Sequence, residues 1–505
     1  MTRLTKNIIY NVAGQGLVLI LSLIAVRFIF RRLGDDVFGI IFFNLVLTTV
    51  LVSALELGIS ATIVREVSSH FETDHDHVKA LIGTASLLYW GIGLFLVALI
   101  WVTAPLLVTR WVNLTSLDPA TAATTLRILS VTVLVALPKT LYTSVFRGRQ
   151  MMALNNVIDV ATSAIQQAGI LMVLLGGGRV FVVAAWISTC MILGILAYIF
   201  VAARLVGWAT LRPTFSLAVV RRTIGFTSHM TVISITSLVH TQVAQVIVSK
   251  LLPIAEFGFF GFASSMVTRA NFVTTAVSQA AFPSLAGLFA AGDRPSLLAQ
   301  YRKLHDLVCY GTLPLFTGLC FAAVPVYTYV FNAGVAQRLL LPTAFLALGI
   351  WMNASITIPY ILSVAMGRPE IVARQNVYAL VIVLPATMGL TLKFGIAGAS
   401  LSLVVYHLFA YAYMVPRICR VCLQSPAATW YLHVLKALGL GALTYGPAWL
   451  VISLTSLSSL PIVILAYSVG TAAFGVGTYL LIGPDLRQTI RRLPRSLAAP
   501  RAGAV

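Results

Sequence analysis

Long apolar stretches of 20 residues or more without a charged side chain include 80–109, 180–203, 307–331, 339–362, 437–456 and 461–483. About 20 apolar residues in a helix cross the hydrocarbon core of a bilayer. Eight further stretches are apolar but interrupted by polar residues: 8–30, 38–64, 125–146, 155–175, 226–249, 257–285, 373–392 and 396–416. Fourteen spans leave only short connections, none long or polar enough for a soluble domain. Strand-period alternation is absent, which excludes a membrane β-barrel. Composition agrees: 59% of the residues are hydrophobic and 10% charged, where soluble domains carry roughly 25% charged residues. A chain of this kind cannot cover a globular surface with polar side chains. A cytosolic enzyme, a nucleic-acid-binding domain and a disordered scaffold are excluded, and the lipid bilayer is the first partner.

The few charges are lopsided, with 34 Lys and Arg against 14 Asp and Glu, a formal net charge of +20. Lys and Arg concentrate in the cytoplasmic loops of membrane proteins. Placing the N-terminus inside puts 23 of the 34 bases on the cytoplasmic side, eight outside and three, Arg27, Lys139 and Arg269, within spans. Both termini are therefore expected in the cytoplasm. The basic segment 1–6 and the first apolar stretch resemble a signal peptide, but no A-x-A-like site follows and the stretch ends in Arg27, Arg31 and Arg32. It reads as a retained first helix.

A short repeat suggests duplication. Phe38-Gly39 and Phe257-Gly258 each follow a base and a turn-forming Gly or Pro (Arg32 and Gly34; Lys250 and Pro253), and each opens a long apolar run. The offset fits a six-helix repeat, and an even number of helices keeps both copies in the same orientation, related by an axis along the membrane normal. The expected organisation is an N-lobe of helices 1–6 (1–203), a cytoplasmic linker (204–225), a C-lobe of helices 7–12 (226–416), helices 13 and 14 (417–483) and a basic tail (484–505), with a cleft between the lobes.

Asn7…Asn11…Gly14, Arg31-x-Leu33-Gly34, Phe38-Gly39 and Leu57-Gly58…Ala61…Arg65-Glu66 together resemble the opening of bacterial polysaccharide repeat-unit flippases. These are the O-antigen and exopolysaccharide exporters of the multidrug/oligosaccharidyl-lipid/polysaccharide (MATE-like) superfamily. The 6+6+2 layout is also similar to that of the lipid II flippases, whereas multidrug extruders usually have twelve helices. The resemblance implies an all-α integral membrane fold of 14 transmembrane helices in the bacterial inner membrane. It implies transport of an undecaprenyl-diphosphate-linked oligosaccharide to the outer leaflet, without a cofactor. A polysaccharide polymerase and chain-length or export proteins would be neighbours, and the chain is read as a monomer. The alternatives, in order, are a lipid II flippase, a drug/cation antiporter, and a membrane polysaccharide polymerase or ligase.

Charged and polar residues inside spans are costly unless they face a cavity or a partner. Helical phase groups Asn156, Asp159, Ser163, Gln166 and Gln167 in span 5, and Ser264, Thr268, Asn271, Thr275, Ser278 and Gln279 with Arg269 in span 8. It also groups His229, Thr236 and His240 in span 7, and Asn7, Asn11, Gln15 and Ser22 in span 1. Single hydroxyls are read as glue between packed helices; whole stripes are read as cavity lining. Arg269 is the leading cationic contact for an anionic substrate. Lys139, beside the helix-loosening Pro138, is a second. Arg31 is placed in the cavity by the resemblance, and Arg27 either joins it or snorkels to the interface. Glu56 and Asp159 are the intramembrane carboxylates, either an ion-coupling group or half of a structural ion pair. No G-x-x-x-x-G-K-[ST] motif is present, which excludes ATP hydrolysis by this chain. The His70/Asp74/His75/Asp76/His77 run reads as a solvated loop. Cys419-x-x-Cys422 lacks a second ligand pair, and Cys190, Cys309 and Cys320 read as small packing residues, so no metal site is expected.

Overall fold

The computed structural model describes residues 3–56, 58–455, 459–483 and 486–487, excluding the side chains of 3–13, 15, 226, 229, 230, 232–237, 239, 240, 454 and 455. Among these residues the chain is helical throughout, with no strand beyond an isolated bridge between Asn113 and Pro253. It divides into two compact units, 1–261 and 262–505.

The first unit contains α1 (Arg3–Leu33), α2 (Asp35–Leu55), α3 (Ile59–His70), α4 (His75–Leu106), α5 (Pro119–Leu129), α6 (Val131–Gly148), α7 (Met152–Leu175), α8 (Val180–Val206), α9 (Trp208–Leu211) and α10 (Leu217–Leu251). It ends within α11 (Ile254–Arg269). The second unit continues with α12 (Phe272–Ala290), α13 (Arg294–Val330), α14 (Ala333–Ala365), α15 (Glu370–Ile418), α16 (Ala427–Thr455) and α17 (Leu460–Leu481). Eleven helices among the described residues are long and apolar enough to cross a bilayer. One of them, α15, is two helical segments joined at Gly395, between the expected eleventh and twelfth spans. α1 and α10 are long helices at the positions of the first and seventh.

Helix starts follow local chemistry. Asp74, Asp118, Asp293 and Asn332 each accept a backbone N–H three residues on, capping α4, α5, α13 and α14. Such caps satisfy donors that the first helical turn leaves without a carbonyl. Three expected spans are not single helices. Span 2 breaks after Glu56, where Gly58 sits at φ 67°, a conformation that L side chains resist. Span 4 bends at Ser130 between α5 and α6. Span 8 breaks at Ala270–Asn271, between α11 and α12.

The two Phe-Gly pairs of the repeat pack against each other in the first unit. A Cβ on Gly258 would lie 2.9 Å from the Gly39 Cα, and one on Gly39 would lie 2.2 Å from the Ile254 carbonyl oxygen. Phe38 and Phe259 approach to 6.0 Å between ring centroids, and Phe43 and Phe257 to 6.2 Å. The segment after α4 is held at both turns. Asp36, almost fully buried, accepts hydrogen bonds from Thr115, Ser116 and Leu117. Asn113 donates to the Lys250 carbonyl at 2.9 Å. A buried carboxylate without such donors would be strongly destabilising.

Candidate functional site

In the first unit, α6, α7 and α8 bring a lysine, an aspartate and a tyrosine together. The Lys139 ammonium lies 2.7 Å from Asp159 Oδ1. The Tyr198 hydroxyl donates to the same oxygen at 3.1 Å and is 3.2 Å from the Asn155 carbonyl. Lys139 also stands 5.6 Å above the Tyr198 ring. Tyr198 is 1% exposed and stacks on the buried Phe146 ring, 5.7 Å between centroids. The Lys139 and Asp159 side chains are 41% and 42% exposed. The cluster therefore has a rigid aromatic floor and an open, charged face. Pro138 removes the helical N–H that the Leu134 carbonyl would accept, which weakens α6 next to the lysine.

Asp159 lies one turn after Asn155, whose amide donates to the Thr143 carbonyl at 3.3 Å and so ties α7 to α6. Asn156 is exposed, and Gln166 and Gln167 are half-buried farther along α7. Glu56 caps the end of α2 at the break in span 2. Its backbone carbonyl accepts the Tyr89 hydroxyl at 3.1 Å, and its carboxylate makes no hydrogen bond or ion pair among the described residues. Arg31, in the last turn of α1, is exposed and likewise without a partner among them. Arg27 is half-buried and partnered. The side chains of Asn11, Gln15 and His240, with those of Asn7, His229, Thr236 and Ser237, lie outside the described residues.

The break in span 8 corrects its phase argument. Arg269 ends α11, whereas Asn271 immediately precedes α12 without a side-chain cap bond and Gln279 lies on α12. A phase counted across residues 270–271 does not place them on one stripe. Arg269 and Gln279 are exposed, and the half-buried Asn271 has a buried Oδ1 without a hydrogen bond. Arg269 pairs with no carboxylate among the described residues, and a cation at a helix C-terminus is favoured by the local dipole.

Sequence reasoning missed two clusters. The segment read as a solvated loop is anchored. His77, 9% exposed, lies 3.1 Å from Glu66 Oε2, and His70 approaches the same oxygen at 3.3 Å. Asp74 pairs with Arg222 at 3.1 Å, and Glu72 with Arg149 at 3.1 Å. The amide of His77, and then the Arg222 guanidinium, hold the Asp74 carboxyl below its ordinary range. In the second unit, His305 and Cys309 on α13 face His433 on α16. Their four-residue spacing was the available signal, although nothing in the sequence announces His433 as their neighbour.

A profile of the polysaccharide biosynthesis protein family matches residues 4–289. A Shigella flexneri protein designated an O-antigen transporter is 21% identical over 407 residues, covering 79% of this chain and 93% of that one. Among solved structures, the lipid II flippase MurJ in an inward closed conformation aligns with a TM-score of 0.68 at 13% identity, over 96% of this chain and all of that one. An inward-facing multidrug resistance MATE transporter aligns with a TM-score of 0.65 at 13% identity, over 80% and 95%. The fold is thus MATE-like and shared with MurJ, and these relatives are transporters and flippases rather than enzymes. Matched over more than half of its length, this multi-pass membrane protein belongs to the polysaccharide biosynthesis protein family.

Proposed function

We propose that the protein is a flippase that carries an undecaprenyl-diphosphate-linked oligosaccharide repeat unit from the cytoplasmic to the outer leaflet of the bacterial inner membrane. The observation that carries this reading is the half-exposed Lys139–Asp159 pair in helices long enough to span the bilayer. Facing hydrocarbon, such a pair would cost several kcal/mol; facing a wet path, it presents a cation to a passing anion. A diphosphate diester carries two negative charges and competes with Asp159 for the Lys139 ammonium. Asp159, released from the lysine, keeps the Tyr198 hydroxyl as donor and takes up a proton, which ties transport to a proton gradient. Glu56 is the second candidate for that exchange.

Arg31, Arg269 and Arg27 act as further contacts for the diphosphate. Asn156, Gln166, Gln167, Asn271 and Gln279, with Asn11, Gln15 and His240, meet sugar hydroxyls. The polyprenyl tail stays in lipid, and the route opens to each side in turn by alternating access. Lipid II is the alternative cargo, with the same diphosphate anchor and a fixed headgroup; the whole-length likeness to MurJ keeps it in view.

The test is a deletion strain without other flippases, with lipid-linked oligosaccharide labelled by leaflet. Cargo is expected to accumulate on the inner leaflet and to be released by the wild-type gene. Lys139→Arg and Arg269→Lys are expected to restore export in part, while Lys139→Glu and Arg269→Ala fail. Normal outer-leaflet delivery in the deletion strain overturns the reading. Wild-type export by both Lys139→Glu and Arg269→Glu removes the cationic path from it. Restoration of lipid II but not oligosaccharide delivery selects the alternative.

A further inference from the structure

The second unit holds a cluster that transport does not use. His305 and Cys309 are four residues apart on α13, so both side chains leave one face of the helix. α16 brings His433 to that face, and the ligand atoms of the three lie within 4.8 Å of one another. His305 is 4% exposed and Cys309 wholly buried. His305 Nε2 lies 3.4 Å from the Cys309 sulfur. An imidazole nitrogen at about 2.0 Å and a sulfur at about 2.3 Å from one tetrahedral ion stand roughly 3.5 Å apart.

Two neighbours complete the arrangement. His433 Nε2 is 3.3 Å from Asp306 Oδ1, and Asp306 Oδ2 accepts the Gly483 amide at 2.9 Å. His433 Nε2 makes no hydrogen bond in this arrangement; a carboxylate beside it favours the tautomer with its proton on Nε2 and leaves Nδ1 for a metal. The Ser355 carbonyl lies 3.2 Å from His305 Nε2. Its usual helical donor would be the amide of residue 359, which is a proline, so that oxygen lacks its i+4 donor.

We infer that His305, Cys309 and His433 form a zinc site, with Asp306 as the positioning residue for His433 and the Ser355 carbonyl as the fourth, oxygen neighbour. Nitrogen and sulfur donors select a borderline-soft ion over magnesium or calcium. On binding, Cys309 gives up its thiol proton to solvent and binds as thiolate. The proton on His305 Nε2 moves to Nδ1, and Zn²⁺ takes its place. The thiolate and the Asp306 carboxylate then balance the two positive charges, which a buried site requires. The ion would clamp α13 to α16, and Asp306 extends the tie to Gly483, two residues past α17.

The full-length protein in detergent, stripped of metal by a chelator, is titrated with Co²⁺ and then Zn²⁺. One equivalent of Co²⁺ is expected to give thiolate-to-cobalt charge-transfer absorption that Zn²⁺ abolishes. Cys309→Ser loses the absorption, whereas Cys320→Ser, on the same helix, keeps it. Asp306→Asn lowers Zn²⁺ affinity about 10–100-fold. If Cys309→Ser does not fold, His433→Gln, at the less buried ring, carries the test and is expected to bind Zn²⁺ at least as weakly as Asp306→Asn. Three results overturn the proposal: no thiolate absorption in the wild type, absorption that survives Cys309→Ser or, failing that variant, unchanged Zn²⁺ affinity in His433→Gln, or absorption lost only with Cys419→Ser or Cys422→Ser.

Discussion

Lys139 and Asp159 satisfy each other's charge, and Tyr198 adds a hydrogen bond to the carboxylate. At roughly two-fifths exposure this pair contributes at most about 1 kcal/mol to stability, because exposed ion pairs are screened and pay side-chain entropy. Stability and transport should therefore separate. Lys139→Ala and Asp159→Asn are each expected to shift thermal unfolding in detergent only slightly, with the double variant close to the singles, while export falls severely in Lys139→Ala. A large stability loss shared by both singles and repaired in the double would make the pair a structural element. Asp74 is a residue-scale pH element. Its carboxyl is held low by the His77 amide and then by Arg222, so its contribution is present above the ordinary carboxylate range and is lost as pH falls through its lowered value. Asp74→Asn should therefore flatten the acid side of the pH–stability profile and leave the neutral and alkaline sides unchanged in shape. A wild-type acid limb in that variant would show that the carboxylate contributes nothing.

At the scale of elements, apolar runs predict where helices lie but not where they break. The run 38–64 reads as one span, yet α2 ends at Leu55 and α3 starts after Gly58. The run 257–285 likewise divides between α11 and α12. Each break resets helical phase, which is why the span-8 stripe does not survive, whereas Asn156 and Asp159 lie on the uninterrupted α7, where no break intervenes. The repeated Phe-Gly pairs mark a contact rather than only a duplication, since α2 and α11 approach too closely for a side chain at Gly39 or Gly258. Gly39→Val is expected to cost roughly 1–3 kcal/mol or more through overpacking. It should appear as a large loss of thermal stability or of monodisperse protein. Gly287→Ala, on a helix with open space around the position, should be neutral or slightly stabilising. Equal behaviour of the two variants would contradict the close contact.

For the whole molecule, basic residues counted as topological also have structural work. Arg149 bonds Glu72 and covers the Phe71 ring at 3.8 Å, Arg222 bonds Asp74, and Arg294 donates to the Cys422 and Leu423 carbonyls at the end of α15 and its π-helical extension. One side chain can report sidedness and fasten a loop, because loops crowded at one face of a bundle bring opposite charges within reach. Lys139 and Asp159 were each legible as intramembrane charges; their pairing was not, because phase along one helix says nothing of which neighbour that face meets. His77 was read within a solvated loop, and only packing shows it buried, as it does Asp36 and Glu66. His305 and His433 are 128 residues apart, and their meeting depends on how α13 and α16 dock. The chain alone determined that it is a multi-pass helical membrane protein with an excess of bases, because crossing a bilayer is a property of about 20 consecutive residues. Which charged and metal-binding side chains meet was decided only by tertiary structure, through helix breaks that reset phase and through contacts between helices that no local stretch of sequence encodes.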